Sequence, residues 1–286
     1  AVFAGLVLGL TALTRSLATG LVPVVIVFWW IALRDPRVAV KQCLLMVAGF
    51  LLLTVPWAAR NSLLHQRPTW LETSLGYNLY LGYHPRSEGS FQFGISMDLV
   101  PIVDDARRDD LGKQAALSFI RSNPGRLPSL MLRKLAYFWG LDRRALTYFY
   151  ACGFFGHWPP LLLGAAFLLD AGPLVVLLPL AILGLICGRW SKAKLLFTLV
   201  LAAYTGMHVL ILAEPRFHLP LLPILAVLAA HAVIDRAWAE SRPWQRGMAL
   251  ACIALMVFNW AIELTGDWST IQLLFGPDGH NLRLTY

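Results

Sequence analysis

Apolar runs dominate the pattern of this 286-residue chain: Ala1–Thr14, Leu17–Leu33, Leu44–Trp57, about Phe167–Cys187, Leu195–Leu212, Phe217–Ile234 and Met248–Leu264. Most come close to the roughly 20 residues a helix needs to cross a hydrocarbon core about 30 Å thick. The pattern predicts an all-α polytopic membrane protein with about six full transmembrane helices and a truncated N-terminal one. Polar turns separate most runs, and one long polar stretch interrupts them. The expected division is residues 1–59 in transmembrane helices, 60–158 in an extracytoplasmic region with amphipathic helices, 159–264 again in transmembrane helices, and 265–286 in an extracytoplasmic tail.

Charge orients these helices. Three turns are basic: Arg34, Arg37 and Lys41; Arg189, Lys192 and Lys194; Arg236, Arg242 and Arg246. Cytoplasmic loops carry the excess of Lys and Arg, so all three are assigned inside. Parity allows this only if Leu161–Cys187 crosses once. Asp170, Gly172 and Pro173 are then expected to mark an outer edge or a break, with Pro159–Leu169 lying in or re-entering the interface.

Composition agrees with the membrane assignment: 58% of residues are hydrophobic, 14% are charged, and mean hydropathy is +0.62. The net charge of +8 sits beside apolar runs, where it sets topology and meets anionic lipid rather than nucleic acid. Cys43, Cys152, Cys187 and Cys252 lack CxxC or metal spacing and read as free thiols. His84, His157, His208, His218, His231 and His280 show no ligand spacing either, so a reaction without metal or other cofactor is expected. The chain opens inside an apolar segment, with no basic stretch ahead of it as a signal peptide has. It reads as the C-terminal portion of a longer polypeptide.

Within residues 60–158, Leu111, Ala115, Ala116, Phe119 and Ile120 recur at helical spacing, and Asn123-Pro124-Gly125 ends that helix. A second amphipathic helix follows, with Leu127, Leu130, Met131, Leu135, Phe138 and Trp139 on one face and Arg133 and Lys134 opposite. That composition suits a helix in the headgroup layer, or else two amphipathic helices packed together. Asp104, Asp105, Asp109 and Asp110 form an acidic patch. Gly76-Tyr77-Asn78-Leu79-Tyr80-Leu81-Gly82 reads as a short strand or a packed loop.

The most distinctive stretch is Ala213-Glu214-Pro215-Arg216-Phe217-His218-Leu219-Pro220, which sets an acid, a permanent cation and a histidine between two apolar runs. Ionisable groups at such a seam are costly to desolvate and by default mark a function. Parity puts this seam on the outer face, together with Thr14-Arg15-Ser16 and Pro56-Trp57-Ala58-Ala59-Arg60-Asn61. Arg15, Arg60 and Arg216 thus share one depth on the side opposite the basic loops, which asks what anion they serve.

Taken in order, Leu13-Thr14-Arg15-Ser16, the Pro56–Asn61 segment, Gly76–Gly82, Asn123-Pro124-Gly125-Arg126 with Lys134–Trp139, and Glu214–Pro220 resemble the C-terminal half of a bacterial GT-C glycosyltransferase. The superfamily is that of dolichyl-phosphate-mannose-protein mannosyltransferases and aminoarabinose transferases. The resemblance implies a multi-pass protein of the bacterial cytoplasmic (inner) membrane. It implies transfer of a sugar from a polyprenyl-phosphate carrier to an acceptor at the outer face. The family's catalytic carboxylate lies in the first extracytoplasmic loop, and this chain begins after that point. The residues present fit carrier binding. Arginine stays charged and offers paired donors to phosphate oxygens, so Arg216 is the first candidate, then Arg60 and Arg15, with His218 as a neutral donor. Glu214 is expected to orient Arg216, and Tyr77, Asn78 and Tyr80 to line the sugar or acceptor side.

Two other readings stand beside this one. A non-catalytic membrane subunit, derived from such a transferase and bound to other membrane subunits, needs no catalytic carboxylate. A transporter would want broken helices and ionisable groups near the bilayer midplane; His208, Gly206 and Pro179 are its main mid-run candidates.

Overall fold

Five helices are long and apolar enough to cross a membrane: Pro36–Leu64, Pro160–Cys187, Lys192–Leu210, Pro215–Ile234 and Pro243–Gly266. Val2–Thr14 and Ser16–Ala32 are apolar but shorter. The computed structural model describes residues 1–282, and every regular element among them is helical. Residues 283–286 of the expected tail lie outside the described residues. Two units are distinguished, Ala1–Met131 with Ser191–Leu212 and Leu132–Trp190 with Ala213–Tyr286.

Helix α1 (Val2–Thr14) is followed by α2 (Leu21–Ala32) and α3 (Pro36–Leu64). Asp35 caps α3 by accepting from the Arg37 amide at 2.8 Å, and Pro36 occupies the first turn, where a missing N–H costs nothing. Arg37 and Lys41, expected in a turn, therefore belong to the start of α3. The same helix runs on through Pro56, so Pro56–Asn61 lies within α3. α1 packs on α3 through small residues. A Cβ on Gly5 would stand 2.0 Å from the Met46 carbonyl oxygen, and one on Gly49 would stand 2.5 Å from that of Val2. Close backbone approach of this kind replaces the hydrophobic drive that lipid does not supply.

The polar region holds α4 (Leu75–Tyr83), α5 (Phe93–Ser96), α6 (Asp105–Ser122), α7 (Leu127–Phe138) and α8 (Arg144–Ala151). Gly76–Gly82 is thus helix, not strand or loop. Its glycines serve a crossing: a Cβ on Gly76 would lie 1.9 Å from the Asp109 carbonyl oxygen, and one on Gly112 would lie 2.6 Å from that of Gly76. The acidic patch is used locally. Asp104 caps α6, accepting from Ala106 and Arg107 at 3.0 and 3.1 Å, and Asp109 Oδ1 accepts from the Gly76 amide at 2.5 Å at the start of α4. Asp105 pairs with Arg108, and Asp110 with Arg67. Tyr83, Ala116, Phe119 and Leu130 bury together, so the first amphipathic helix is a packed one. Lys134 of α7 is wholly buried, which overturns its expected place on a polar face.

Helix α9 (Pro160–Cys187) runs 28 residues without interruption, carrying Pro173 and Pro179 inside it. Of the two expectations at Asp170–Pro173, an outer edge or a break, the break is not seen, and residues 160–169 are continuous helix rather than a re-entrant turn. Then come α10 (Lys192–Leu210), α11 (Leu222–Ile234), α12 (Ala237–Glu240), α13 (Pro243–Gly266) and α14 (Trp268–Leu274). In the second unit α9 and α11 cross tightly, since a Cβ on Gly184 would sit 2.0 Å from the Leu228 carbonyl oxygen. At one end of these helices Arg189 pairs with Glu240 at 2.8 Å, and Arg246 donates to the Trp238 and Ala239 carbonyls at 3.0 Å. Two of the expected inner turns thus gather at a common end. Glu214–His218 lies at the opposite end, beside the α7–α8 connection and the C-terminus of α13.

Candidate functional site

A 3-10 turn over Pro215–Leu221 forms the seam, with Pro215 in its first position and Pro220 near its end. Proline fixes the backbone torsion at both places. The turn buries Glu214 and His218 and leaves Arg216 exposed between them. The guanidinium of Arg216 stands 5.8 Å from the centre of the Phe217 ring. Glu214 is 5% exposed and makes an ion pair with Arg144 at 3.2 Å. The pairing expected with Arg216 is thus made with Arg144 instead.

His218 is held from three sides. Its Nδ1 lies 2.9 Å from the Phe138 carbonyl, and its ring stacks on Trp139 at 6.1 Å and meets the edge of Phe138 at 6.4 Å. A carbonyl only accepts, so Nδ1 carries the hydrogen and the neutral ring presents an acceptor at Nε2. Donation to a ligand from Nε2 would require the imidazolium.

The connection between α7 and α8 supplies residues that the sequence pattern did not single out. Asp142 is 5% exposed and makes no hydrogen bond or ion pair among the described residues. Burial pushes its carboxyl above the usual range, and the nearby charges of a protonated His218 and of Arg216 pull it back. Asp170 of α9 lies within its electrostatic reach. The neighbours of Asp142 are committed elsewhere. Arg143 pairs with Glu263 at 3.2 Å and with Asp267, while Arg144 turns to Glu214. Glu263 also accepts from the Leu141 amide at 2.9 Å, and Trp260 Nε1 donates to the Trp139 carbonyl at 2.8 Å. The end of α13 thus clamps the Trp139–Arg143 backbone and presents Asp142 beside the seam. One turn before Phe138, desolvation lowers the buried Lys134 ammonium to a pKa of about 7. Acids at Glu263 and Asp267, one turn apart at the end of an apolar helix, were the available signal. So was the charged triplet Asp142-Arg143-Arg144 ahead of an uncharged run.

The remaining candidates belong to the first unit, in three neighbourhoods. Arg15 follows α1, and its charge reaches Tyr204 and His208 of α10. Arg60 is exposed on α3, bonded to Asn61 Oδ1 at 3.0 Å and 4.9 Å from the centre of the Trp57 ring. Asn61 itself is buried and donates to the Trp70 and Leu71 carbonyls at 3.1 Å, pinning the chain as it leaves α3. On α4, the Tyr77 hydroxyl donates to the Ser96 carbonyl and that of Tyr80 to Asp98, each at 3.0 Å. Burial and the Asp98 carboxylate push the Tyr80 hydroxyl up to about 12. These two hydroxyls hold the 93–98 segment; Asn78 lies between them on the same helix. The Tyr83 hydroxyl donates to the Leu210 carbonyl at 2.8 Å and so fixes the end of α10. Glu214, Arg216 and His218 therefore assemble with Asp142 in one unit, and Arg15, Arg60, Tyr77, Asn78 and Tyr80 lie in the other.

No family model, curated protein or solved structure matches the chain.

Proposed function

We propose that this chain is the carrier-binding portion of a bacterial inner-membrane glycosyltransferase that moves a sugar from a polyprenyl phosphate to an acceptor at the outer face. The observation that carries the reading is Arg216, an exposed permanent cation on a proline-fixed seam between two buried ionisable residues. It lies at the end of the spanning helices opposite the Arg189–Arg246 cluster. A polyprenyl phosphodiester is an anion at headgroup level with an apolar tail, which is what such a position suits. As the sugar–oxygen bond breaks, its electron pair passes to the carrier phosphate, and the charge there grows from about −1 to −2. A cation already in place stabilises that growth without reorganising. His218, held by Phe138 and Trp139, fixes the shape of the seam. Asp142, without a hydrogen-bond partner among the described residues, accepts a hydrogen bond from a hydroxyl of the bound sugar. The lipid-linked sugar is the donor substrate, and other membrane lipids surround it.

A second reading, the non-catalytic subunit, is favoured by the ion pairs of Glu214 with Arg144 and of Arg143 with Glu263, which explain those buried charges without any substrate. Arg216 separates the two. Binding of undecaprenyl phosphate, followed by photocrosslinking in proteoliposomes, is expected to fall at least tenfold in Arg216→Ala and to recover in part in Arg216→Lys. Unchanged crosslinking in a folded Arg216→Ala protein would leave the subunit reading.

A further inference from the structure

Residues 145–169 contain no Asp, Glu, Lys or Arg. Only the part from Pro160 onward belongs to a spanning helix; α8 and the loop after it come first. α8 buries Thr147, Tyr150 and Ala151, the last two in a cluster with Leu163 and Leu274. A surface helix facing water would be polar on its other side. Here Tyr148 and Phe149 are exposed, followed by Phe155 and by Phe154, which is 72% exposed. The rings gather: Phe149 lies 5.3 Å from Phe154, Phe154 5.1 Å from Phe155, and Phe155 5.1 Å from Trp158. Gly153 and Gly156, at φ +75° and +69°, allow the tight bends that bring them together.

A second uncharged stretch lies nearby. Residues 268–277 carry no charge, and Trp268, Leu273 and Phe275 on and beside α14 are exposed. The Phe275 ring is 6.3 Å from that of Phe167 on α9, which places both stretches at one end of the unit. Each adjoins a span: Trp158 stands just before the first residue of α9, and Trp268 just after the last of α13.

We propose that these two stretches form an aromatic collar seated in the headgroup layer of the bilayer, with Phe154 and Phe155 reaching toward the acyl chains. Contiguous apolar surface of this kind marks a lipid or protein contact rather than a water-facing one. Its continuity with two spanning helices selects lipid. Tyr, Trp and His combine an apolar ring with a polar edge, the composition enriched at this depth. The inference stands apart from the carrier-binding role.

Cys152 is the exposed cysteine of the loop, whereas Cys187 is buried and Cys43 and Cys252 are half-buried. With those three replaced by serine, a nitroxide on Cys152 of the full chain reports depth in vesicles of phosphatidylethanolamine and phosphatidylglycerol. Collisions with oxygen are expected to exceed those with a water-soluble nickel complex several-fold, and Phe154→Ser with Phe155→Ser should reverse that order. A label as open to nickel as one free in buffer would overturn the collar. A label shielded from both reagents would overturn it too, in favour of a protein partner. In the unsubstituted chain, a charged maleimide read at Cys152 by peptide mass spectrometry should react slowly in vesicles; fast reaction there also counts against the collar.

Discussion

Asp142 shows how burying a single side chain can cost stability. Its buried carboxylate favours the protonated form in the folded state, because desolvation penalises the charge. Its folded-state pKa is raised, so the folded protein binds more protons than the unfolded chain above the ordinary carboxylate range. Its contribution therefore falls as pH rises through the folded value. Asp142→Asn removes that loss. Thermal melts in detergent at neutral pH are expected to show Asp142→Asn more stable than the native protein, with the gain shrinking toward pH 4. Transfer or carrier binding should weaken in the same variant. A variant that is destabilised across the whole range would mean that Asp142 has a partner it depends on. The sequence marked the seam but not Asp142, Lys134 or Arg143, because burial of a charge in a connection depends on what packs over it. Nor could it show the partners of Glu214 and His218, since Arg144 and the Phe138 carbonyl stand 70 and 80 residues away in the chain.

At the scale of elements, the long apolar runs were legible because length and composition alone decide whether a helix can span. Their ends were less so. Pro173 suggested an edge or a break, yet spanning helices carry proline where neighbours satisfy the freed carbonyls, as α3 does at Pro56 and α9 at Pro173 and Pro179. Gly76–Gly82 looked like strand or loop because glycine punctuates local structure; its reason was the crossing with α6, which no local pattern reveals. The α9–α11 crossing has the same origin and permits a sharp comparison. Gly184→Ala must push the Leu228 carbonyl aside, whereas a Cβ on Gly172 of the same helix meets open space. Unfolding measurements should find Gly184→Ala destabilised by about 2 kcal/mol through overpacking, and Gly172→Ala nearly neutral. Equal effects would remove the crossing as the cause.

At the scale of the whole molecule, the membrane class was readable from hydropathy, and the structure gathers Arg189, Glu240 and Arg246 at one helix end. Exposed Leu51, Leu52, Leu168, Leu169, Leu255 and Phe258 along the spanning helices belong to a surface that acyl chains cover. Two helices of the polar region were readable from their 3.6-residue periodicity, but pairs such as Asp109 with the Gly76 amide and Asp110 with Arg67 were not, since they join residues distant in the chain.

The uninterrupted course of α9 carries one more consequence. Its 28 residues extend about 42 Å at 1.5 Å per residue, well beyond the hydrocarbon thickness of about 30 Å. With uncharged residues up to Leu169, the helix cannot simply protrude into water, so it must lean, and the lean depends on its host. It works as a caliper for the bilayer. Short-chain lipids force a steeper lean and strain the packing at Gly184, whereas longer chains let the helix stand up. Melting temperature in proteoliposomes should accordingly climb from dilauroyl to dioleoyl lipids, and a flat response would show that α9 does not sense thickness.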